Sequence, residues 1–166
     1  MACPFFFPQH RIENSPWPHA VRLPLGAAWT GCCTAAGHAG EQPSDEELKD
    51  GCNLGYARNC SRLPANRSTD AVRFSIARDR DLKLSVQFVC ELAHAPAANG
   101  MLEFDCNSGQ WRTTHADSRI QRMAECYVES YLQRRDQPVV LVRVTAAAAQ
   151  SSAVKLIHQE ADRPRD

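Results

Sequence analysis

The sequence has no excess of either charge. Its 19 basic residues balance 19 acidic residues, so the net charge of the 166-residue chain is zero at pH 7. Proteins that bind nucleic acids or anionic membranes through broad electrostatic attraction usually carry a clear basic excess. The composition therefore gives no support to either class of partner.

The sequence also lacks a long apolar run and an export signal. Its longest apolar stretch, residues 138–149, is shorter than the roughly 20 residues that a membrane-spanning helix needs, and Arg143 interrupts it. The short apolar run Phe5–Phe7 lies between Pro4 and Pro8 with no basic region before it, which does not fit a signal peptide. We therefore expect a cytoplasmic protein, in which cysteines more often bind metals or pack in a core than form disulfides.

Familiar nucleotide-binding and hydrolase motifs are absent. The sequence contains no G-x-G-x-x-G, no G-x4-G-K-[ST], no G-x-S-x-G and no H-E-x-x-H. His94, His115 and Asp117 are residue types that act in acid–base chemistry, but no spacing fixes their geometry, and we interpret them as surface groups. The role that the sequence favours is binding rather than catalysis.

Cysteine is the residue that stands out. Four of the eight cysteines, Cys32, Cys33, Cys52 and Cys60, fall within thirty residues, and His38 lies among them. Thiolate and imidazole groups collected on a loop-rich segment are the ligands that zinc and iron–sulfur clusters take. The sequence therefore predicts a metal site here. Of the other cysteines, Cys3 has no predicted role, and the remaining three are expected to pack in the core: Cys90, Cys106 and Cys126.

The spacing leaves the fourth ligand open. The arrangement C-C-x4-H-x13-C-x7-C lacks the closely spaced ligand pairs of common zinc sites and the C-x2-C-x2-C run of bacterial ferredoxins. Because the side chains of adjacent cysteines tend to diverge, only one of Cys32 and Cys33 is expected to be a good ligand. We predict ligation by Cys33, Cys52 and Cys60, with either His38 or Cys32 as the fourth ligand.

Three interpretations of this segment follow. In the first, a site of three cysteines and one histidine, or of four cysteines, holds a structural zinc ion, which would stabilise an otherwise loose arm. In the second, the same thiolates hold a [4Fe-4S] cluster that transfers electrons or senses oxygen. In the third there is no metal: the cysteines pack as small apolar side chains, and the exposed face of the sheet binds a protein partner.

Alternation of apolar and polar residues predicts strands over residues 70–113. The pattern fits an antiparallel meander of about four strands with one buried face. The predicted strands are Val72–Ile76, Leu82–Leu92, Leu102–Cys106 and a short one around Trp111, and the predicted connections are Asp79–Asp81, Asn99–Gly100 and Asn107–Gly109.

Two helices are predicted. Apolar residues spaced i, i+3, i+4, i+7 indicate a long helix from about Ser118 to Arg135, which should cover the apolar face of the sheet. A short helix is expected before Cys52, with Gly51 as its end. Capping boxes are predicted at Ser44 with Glu47 and at Ser118 with Gln121.

These patterns predict an α+β fold, in which a short antiparallel meander covered by one long helix follows an irregular cysteine-bearing arm. We divide the chain into four parts. They are an extended proline-rich arm (1–30), the cysteine-rich segment with the predicted metal site (31–69), the meander with its helix (70–137) and an accessory tail (138–166).

One stretch of the sequence resembles other proteins. The motif C-N-L-G-Y-A at residues 52–57, followed by Cys60, is similar to a segment of small uncharacterised bacterial proteins. In those proteins a sheet and a helix with a Y-V-E-S-Y-L stretch also follow, as residues 127–132 do here. The resemblance spans about residues 22–135 and implies neither a particular fold nor a reaction. The scarcity of lysine, with 3 among 19 basic residues, is also typical of a GC-rich bacterial genome.

Overall fold

The computed structural model describes residues 1–13, 17, 23–56 and 60–136, and residues Met1–Asp136 form one compact α+β unit. The predictions for the tail, residues 138–166, lie outside the described residues. The elements, in chain order, are β1 (Phe6–Arg11), β2 (Trp29–Cys33), α1 (Asp45–Glu47), a π-helical turn (Leu48–Cys52), β3 (Ala71–Arg80), β4 (Lys83–Leu92), β5 (Ala95–Asp105), β6 (Gln110–Thr113) and α2 (Ser118–Asp136).

The predicted meander is confirmed. Strands β3 to β6 form a four-stranded antiparallel sheet in sequence order. Val72 pairs with Cys90, and Ile76 pairs with Val86, so the alternating apolar residues of neighbouring strands fall on one face. That face is buried, with Leu84 and Val86 fully inaccessible to solvent.

Two predicted connections lie elsewhere in the structure. Strands β3 and β4 are joined at Asp81 and Leu82, and strands β4 and β5 at Ala93 and His94; all four residues have positive φ angles between 50° and 66°. Two consecutive positive φ angles match the right-handed twist of a tight hairpin. None of these residues is glycine. The first turn begins at Asp81, the last residue of the predicted connection, whereas Ala93 and His94 carried no turn signal.

Gly100, which we expected in a turn, lies inside β5 opposite Phe88. A Cβ atom at this position would lie 2.7 Å from the Phe88 ring, so glycine is required here for close packing across the strands. The prediction at Asn107–Gly109 is confirmed. Gly109 has a φ angle of +67°, and the Asp105 carboxylate accepts hydrogen bonds from the backbone of this turn.

The N-terminal arm is more regular than its prolines indicate. Strand β1 pairs antiparallel with β2 in a second, two-stranded sheet. Before β1, Ala2 exchanges two backbone hydrogen bonds with Val72 of β3, at 2.8 and 2.9 Å. Phe6 and Trp29 are both 1% exposed, so the arm contributes large side chains to the core.

Helix α2 forms as predicted and packs against β1 and β3. Tyr127 stacks on Phe74 with ring centroids 5.8 Å apart. Arg122 donates hydrogen bonds from its guanidinium to the carbonyl oxygens of Pro8 and Gln9, at 3.0 and 3.2 Å. The helix therefore links the meander to the N-terminal strand.

The predicted capping box of α2 does not form, because Asp117 caps the helix instead. The Asp117 carbonyl accepts the first helical hydrogen bond from Gln121, and its carboxylate accepts one from the backbone N–H of Arg119 at 2.9 Å. The Gln121 side chain accepts from the backbone N–H of His115. His115 and Asp117, which the sequence analysis considered for acid–base chemistry, therefore form hydrogen bonds at the N-terminus of α2.

The cap gives a stability prediction for Asp117→Ala. Losing an N-cap carboxylate should lower the free energy of unfolding by about 1 kcal/mol at neutral pH. The hydrogen bond from Arg119 lowers the pKa of Asp117, so this stabilisation is present above the ordinary aspartate pKa and is lost as the pH falls below it. Urea unfolding at pH 7 and in acid should therefore show a difference between wild type and variant that shrinks in acid.

The matched control is Glu129→Ala, which removes an exposed carboxylate from the middle of the same helix. We expect it to change the free energy of unfolding by less than about 0.5 kcal/mol. Equal losses for the two variants would contradict the capping role of Asp117.

Candidate metal centre

Four cysteines line one cavity of about 490 Å³ beside the two-stranded sheet. They are Cys3, Cys33, Cys52 and Cys60, and we call this space the cysteine cavity. Each thiol comes from a different segment: the N-terminus, the end of β2, the end of the π-helical turn and the loop before β3. The apolar residues around them include Phe5, Phe6, Ala35, Pro43 and Leu63.

Strand alternation separates Cys33 from Cys32. Cys33 is buried on the same face as Gly31, and its sulfur accepts a hydrogen bond from the backbone N–H of Ala35 at 3.4 Å. Cys32 points to the other face, where the Gln9 side chain donates to its sulfur at 3.8 Å. Cys32 is therefore not among the residues that line the cavity.

The short helix delivers Cys52 to the cavity. Its capping box is confirmed, since Glu47 N–H donates to the Ser44 hydroxyl at 3.3 Å and Ser44 N–H donates to the Glu47 carboxylate at 2.7 Å. The prediction that Gly51 ends the helix is wrong. The helix widens into a π-helical turn through Cys52, and Asn53 N–H bonds to the Leu48 carbonyl five residues earlier.

Asn53 holds two walls of the cavity together. It is 1% exposed, and its side-chain oxygen accepts from Trp29 N–H at 3.0 Å. Its amide group donates to the carbonyl oxygens of Trp29 at 3.0 Å and Leu48 at 3.2 Å. Trp29 begins the strand that ends at Cys33. Asn53 therefore fixes the position of that strand relative to Cys52. Sequence reasoning missed it, although it directly follows a predicted ligand.

Cys3 is the cavity residue that the sequence analysis left without a role. It is 6% exposed, and its backbone N–H donates to the Cys52 carbonyl at 3.1 Å. The turn after Cys52 makes this approach possible, since a Cβ atom at Gly55 would overlap the carbonyl oxygen of Met1. Gly55 also has a φ angle of +78°, which favours glycine.

The structure brings together three of the five predicted ligands. Cys52 and Cys60 are partly buried and pack against the core beside the cavity, and Cys33 is buried in its lining. His38 is partly exposed outside the cavity lining, with its Nδ1 atom 3.0 Å from a carboxylate oxygen of Glu41. The sequence offered no signal for Cys3 beyond its being a cysteine. Its nearness to Cys52 depends on the pairing of Ala2 with Val72, 70 positions later in the chain.

The cavity opposes ionisation of its thiols. The pKa of the Cys3 thiol is raised to about 11: burial is the largest cause, a backbone hydrogen bond at Phe5 opposes it, and the neighbouring Cys60 and Cys33 act in the same direction as burial. Burial also raises the pKa of the Cys52 thiol, and the thiols of Cys3, Cys60 and Cys33 act in the same direction. The four groups are thus close enough to repel one another as thiolates, and a bound cation would relieve that repulsion.

Charged residues surround the rim of the cavity. Arg62 forms ion pairs with Glu41 and Glu47, both at 3.2 Å, and so joins the loop that carries Cys60 to the short helix. Glu46 and Asp50 are exposed at the same rim.

The cysteines line one cavity but do not form a ready-made ion site. Across the ranges that the structure describes, no group of three or more His, Cys, Asp or Glu side chains is arranged so that it could hold a metal ion. All eight cysteines are free thiols. Cys90 and Cys126 are buried in the core and Cys106 packs against it, which confirms the prediction for these three.

Comparisons with protein families, curated proteins and solved structures find no match to this chain. The resemblance to small bacterial proteins therefore stays a prediction. Within the described part of the chain, no helix combines the length and apolarity needed to cross a membrane.

The clamp formed by the Asn53 side chain gives a prediction for Asn53→Ala. The change should lower the free energy of unfolding by about 3 kcal/mol, because it leaves the buried N–H and carbonyl of Trp29 without their partner. Urea unfolding of the protein prepared without metal measures the effect. Asn66→Ala, at an exposed position, is the control and should change stability little. Similar losses for both variants would show that the clamp does not hold the two segments.

Proposed function

We propose that this protein is a metal-binding protein whose centre is ligated by Cys3, Cys33, Cys52 and Cys60. The observation that carries the proposal is that four thiols from four separate segments line the same cavity. A cysteine that serves only as a small apolar side chain needs no other cysteine nearby, and Cys126 in the core is an example. Four such residues around one space are better explained by a shared ligand.

The electrostatics of the cavity supports the same conclusion. Burial raises the pKa of Cys3 and Cys52, and neighbouring cysteines act in the same direction, so thiolates here would need a cation to balance their charge. A metal replaces the thiol protons and neutralises the charge that the cavity otherwise disfavours. Binding energy of about 10–16 kcal/mol, typical of a structural thiolate site, would then stabilise the arm against the body of the protein.

The ligand set favours a binding role over catalysis. Four protein thiolates leave no ligand position open, whether they share one tetrahedral ion or each bind one iron of a four-iron cluster, whereas catalytic sites keep one position for water or substrate. The same thiolates must stay reduced to bind metal, so we place the protein in the cytoplasm. Cys3 takes the fourth position in this proposal, in place of His38 or Cys32.

Metal content tests the proposal. Protein purified without oxygen should contain stoichiometric metal by elemental analysis. Cys3→Ser, Cys52→Ser and Cys60→Ser should each lose most of it, because a serine hydroxyl is a poor ligand for a thiophilic metal. Far-UV circular dichroism of each variant shows whether the fold is retained.

Cys32→Ser is the matched control, since Cys32 adjoins Cys33 but lies outside the cavity lining. We expect it to keep the full metal content, as should His38→Gln. A wild-type protein with negligible metal would refute the metal centre. Loss of metal in Cys32→Ser together with full retention in Cys3→Ser would refute this choice of fourth ligand.

A further inference from the structure

The arrangement of the thiols bears on which metal the centre holds. In a tetrahedral zinc site each sulfur lies about 2.3 Å from the ion, so the sulfur atoms are about 3.8 Å from one another. No three of the His, Cys, Asp and Glu side chains in the described residues are arranged to hold an ion in this way. A zinc site would therefore require some of these side chains, or the segments that carry them, to move.

The backbone around the cavity resists that movement. Cys3 follows Ala2, whose N–H and carbonyl are both bonded to Val72, and its own N–H is bonded to the Cys52 carbonyl. Cys33 is held by its pairing with Phe6 of β1. Since these ligands are held by hydrogen bonds to other segments, closing the cavity around one small ion would break some of these bonds.

A [4Fe-4S] cluster needs its four thiolates spread more widely than a single ion does. Its four iron atoms each take one thiolate, so the cysteines surround the cofactor instead of sharing one ion. The cavity of about 490 Å³ that the four cysteines help to line is far larger than a single ion needs.

The surroundings of the thiols also suit a cluster. Phe5, Phe6 and Leu63 give the walls an apolar part, and solvent exposure is one of the properties that tune cluster potentials. The N–H of Ala35 donates to the sulfur of Cys33 at 3.4 Å. Hydrogen bonds to ligand sulfurs are a second property that tunes the potential of a cluster.

We infer that the cysteine cavity holds a [4Fe-4S] cluster, with Cys3, Cys33, Cys52 and Cys60 each bound to a different iron atom. This inference rests on the proposed function and narrows it to one cofactor.

The test is the identity of the metal in the full-length wild-type protein. The protein is isolated without oxygen from cells supplied with both iron and zinc, and iron, zinc and acid-labile sulfide are measured per chain. We expect about four iron and four sulfide per chain, with broad visible absorption that bleaches on reduction with dithionite. The EPR spectrum of the reduced protein should be that of a [4Fe-4S]⁺ cluster.

The other outcomes separate this inference from the proposed function. About one zinc per chain without sulfide would overturn the cluster and leave the thiolate metal centre standing. About two iron and two sulfide would also overturn it, because two thiolates would then share each iron. Negligible metal of any kind would overturn both proposals.

Variants then test the ligand assignment. After anaerobic treatment with iron salts, sulfide and dithiothreitol, Cys3→Ser should regain little of the wild-type visible absorption, whereas Cys32→Ser should regain all of it. Full recovery of a four-iron cluster by Cys3→Ser would refute a cluster with Cys3 as a ligand. The wild-type stoichiometry decides the cofactor even if Cys3→Ser does not fold.

Discussion

The docking of the N-terminal residues against the body of the protein is the constraint on which the candidate site depends. Ala2 is bonded through its backbone to Val72, and Cys3 is bonded to the Cys52 carbonyl. Gly55 leaves room for the carbonyl of Met1 where any side chain would collide with it. These contacts place a thiol from the start of the chain beside one that lies 49 positions later. Without them the cavity would lack one of its four cysteines.

A second requirement is that the walls of the cavity keep their positions. Asn53 connects the start of β2 to the π-helical turn through three buried hydrogen bonds, and Arg62 connects the loop of Cys60 to the short helix by two ion pairs. Buried amide hydrogen bonds are costly to break, whereas partly exposed ion pairs contribute little. The clamp at Asn53 therefore matters more than the charged rim for the shape of the site.

Local patterns account for most of the elements. The alternation of apolar and polar residues from Val72 to Cys90 predicted the first two strands of the meander and their shared buried face. The i, i+3, i+4 spacing of apolar residues after Ser118 predicted the long helix. Turns were harder to predict. The hairpin at Ala93 and His94 carries no glycine, and Gly100, which looked like a turn residue, lies in a strand because the Phe88 ring packs against its backbone.

Periodicity, capping and ligand chemistry are local properties of a chain. The sequence by itself therefore predicted the meander, the long helix and the capping box at Ser44. It also singled out Cys33, Cys52 and Cys60 as candidate ligands. Long-range packing was needed to show that Cys3 joins these three while Cys32 and His38 lie outside the cavity. That outcome depends on which face of β2 is buried and on a backbone bridge between Ala2 and β3. Both are set by contacts between residues far apart in sequence, which no local spacing records.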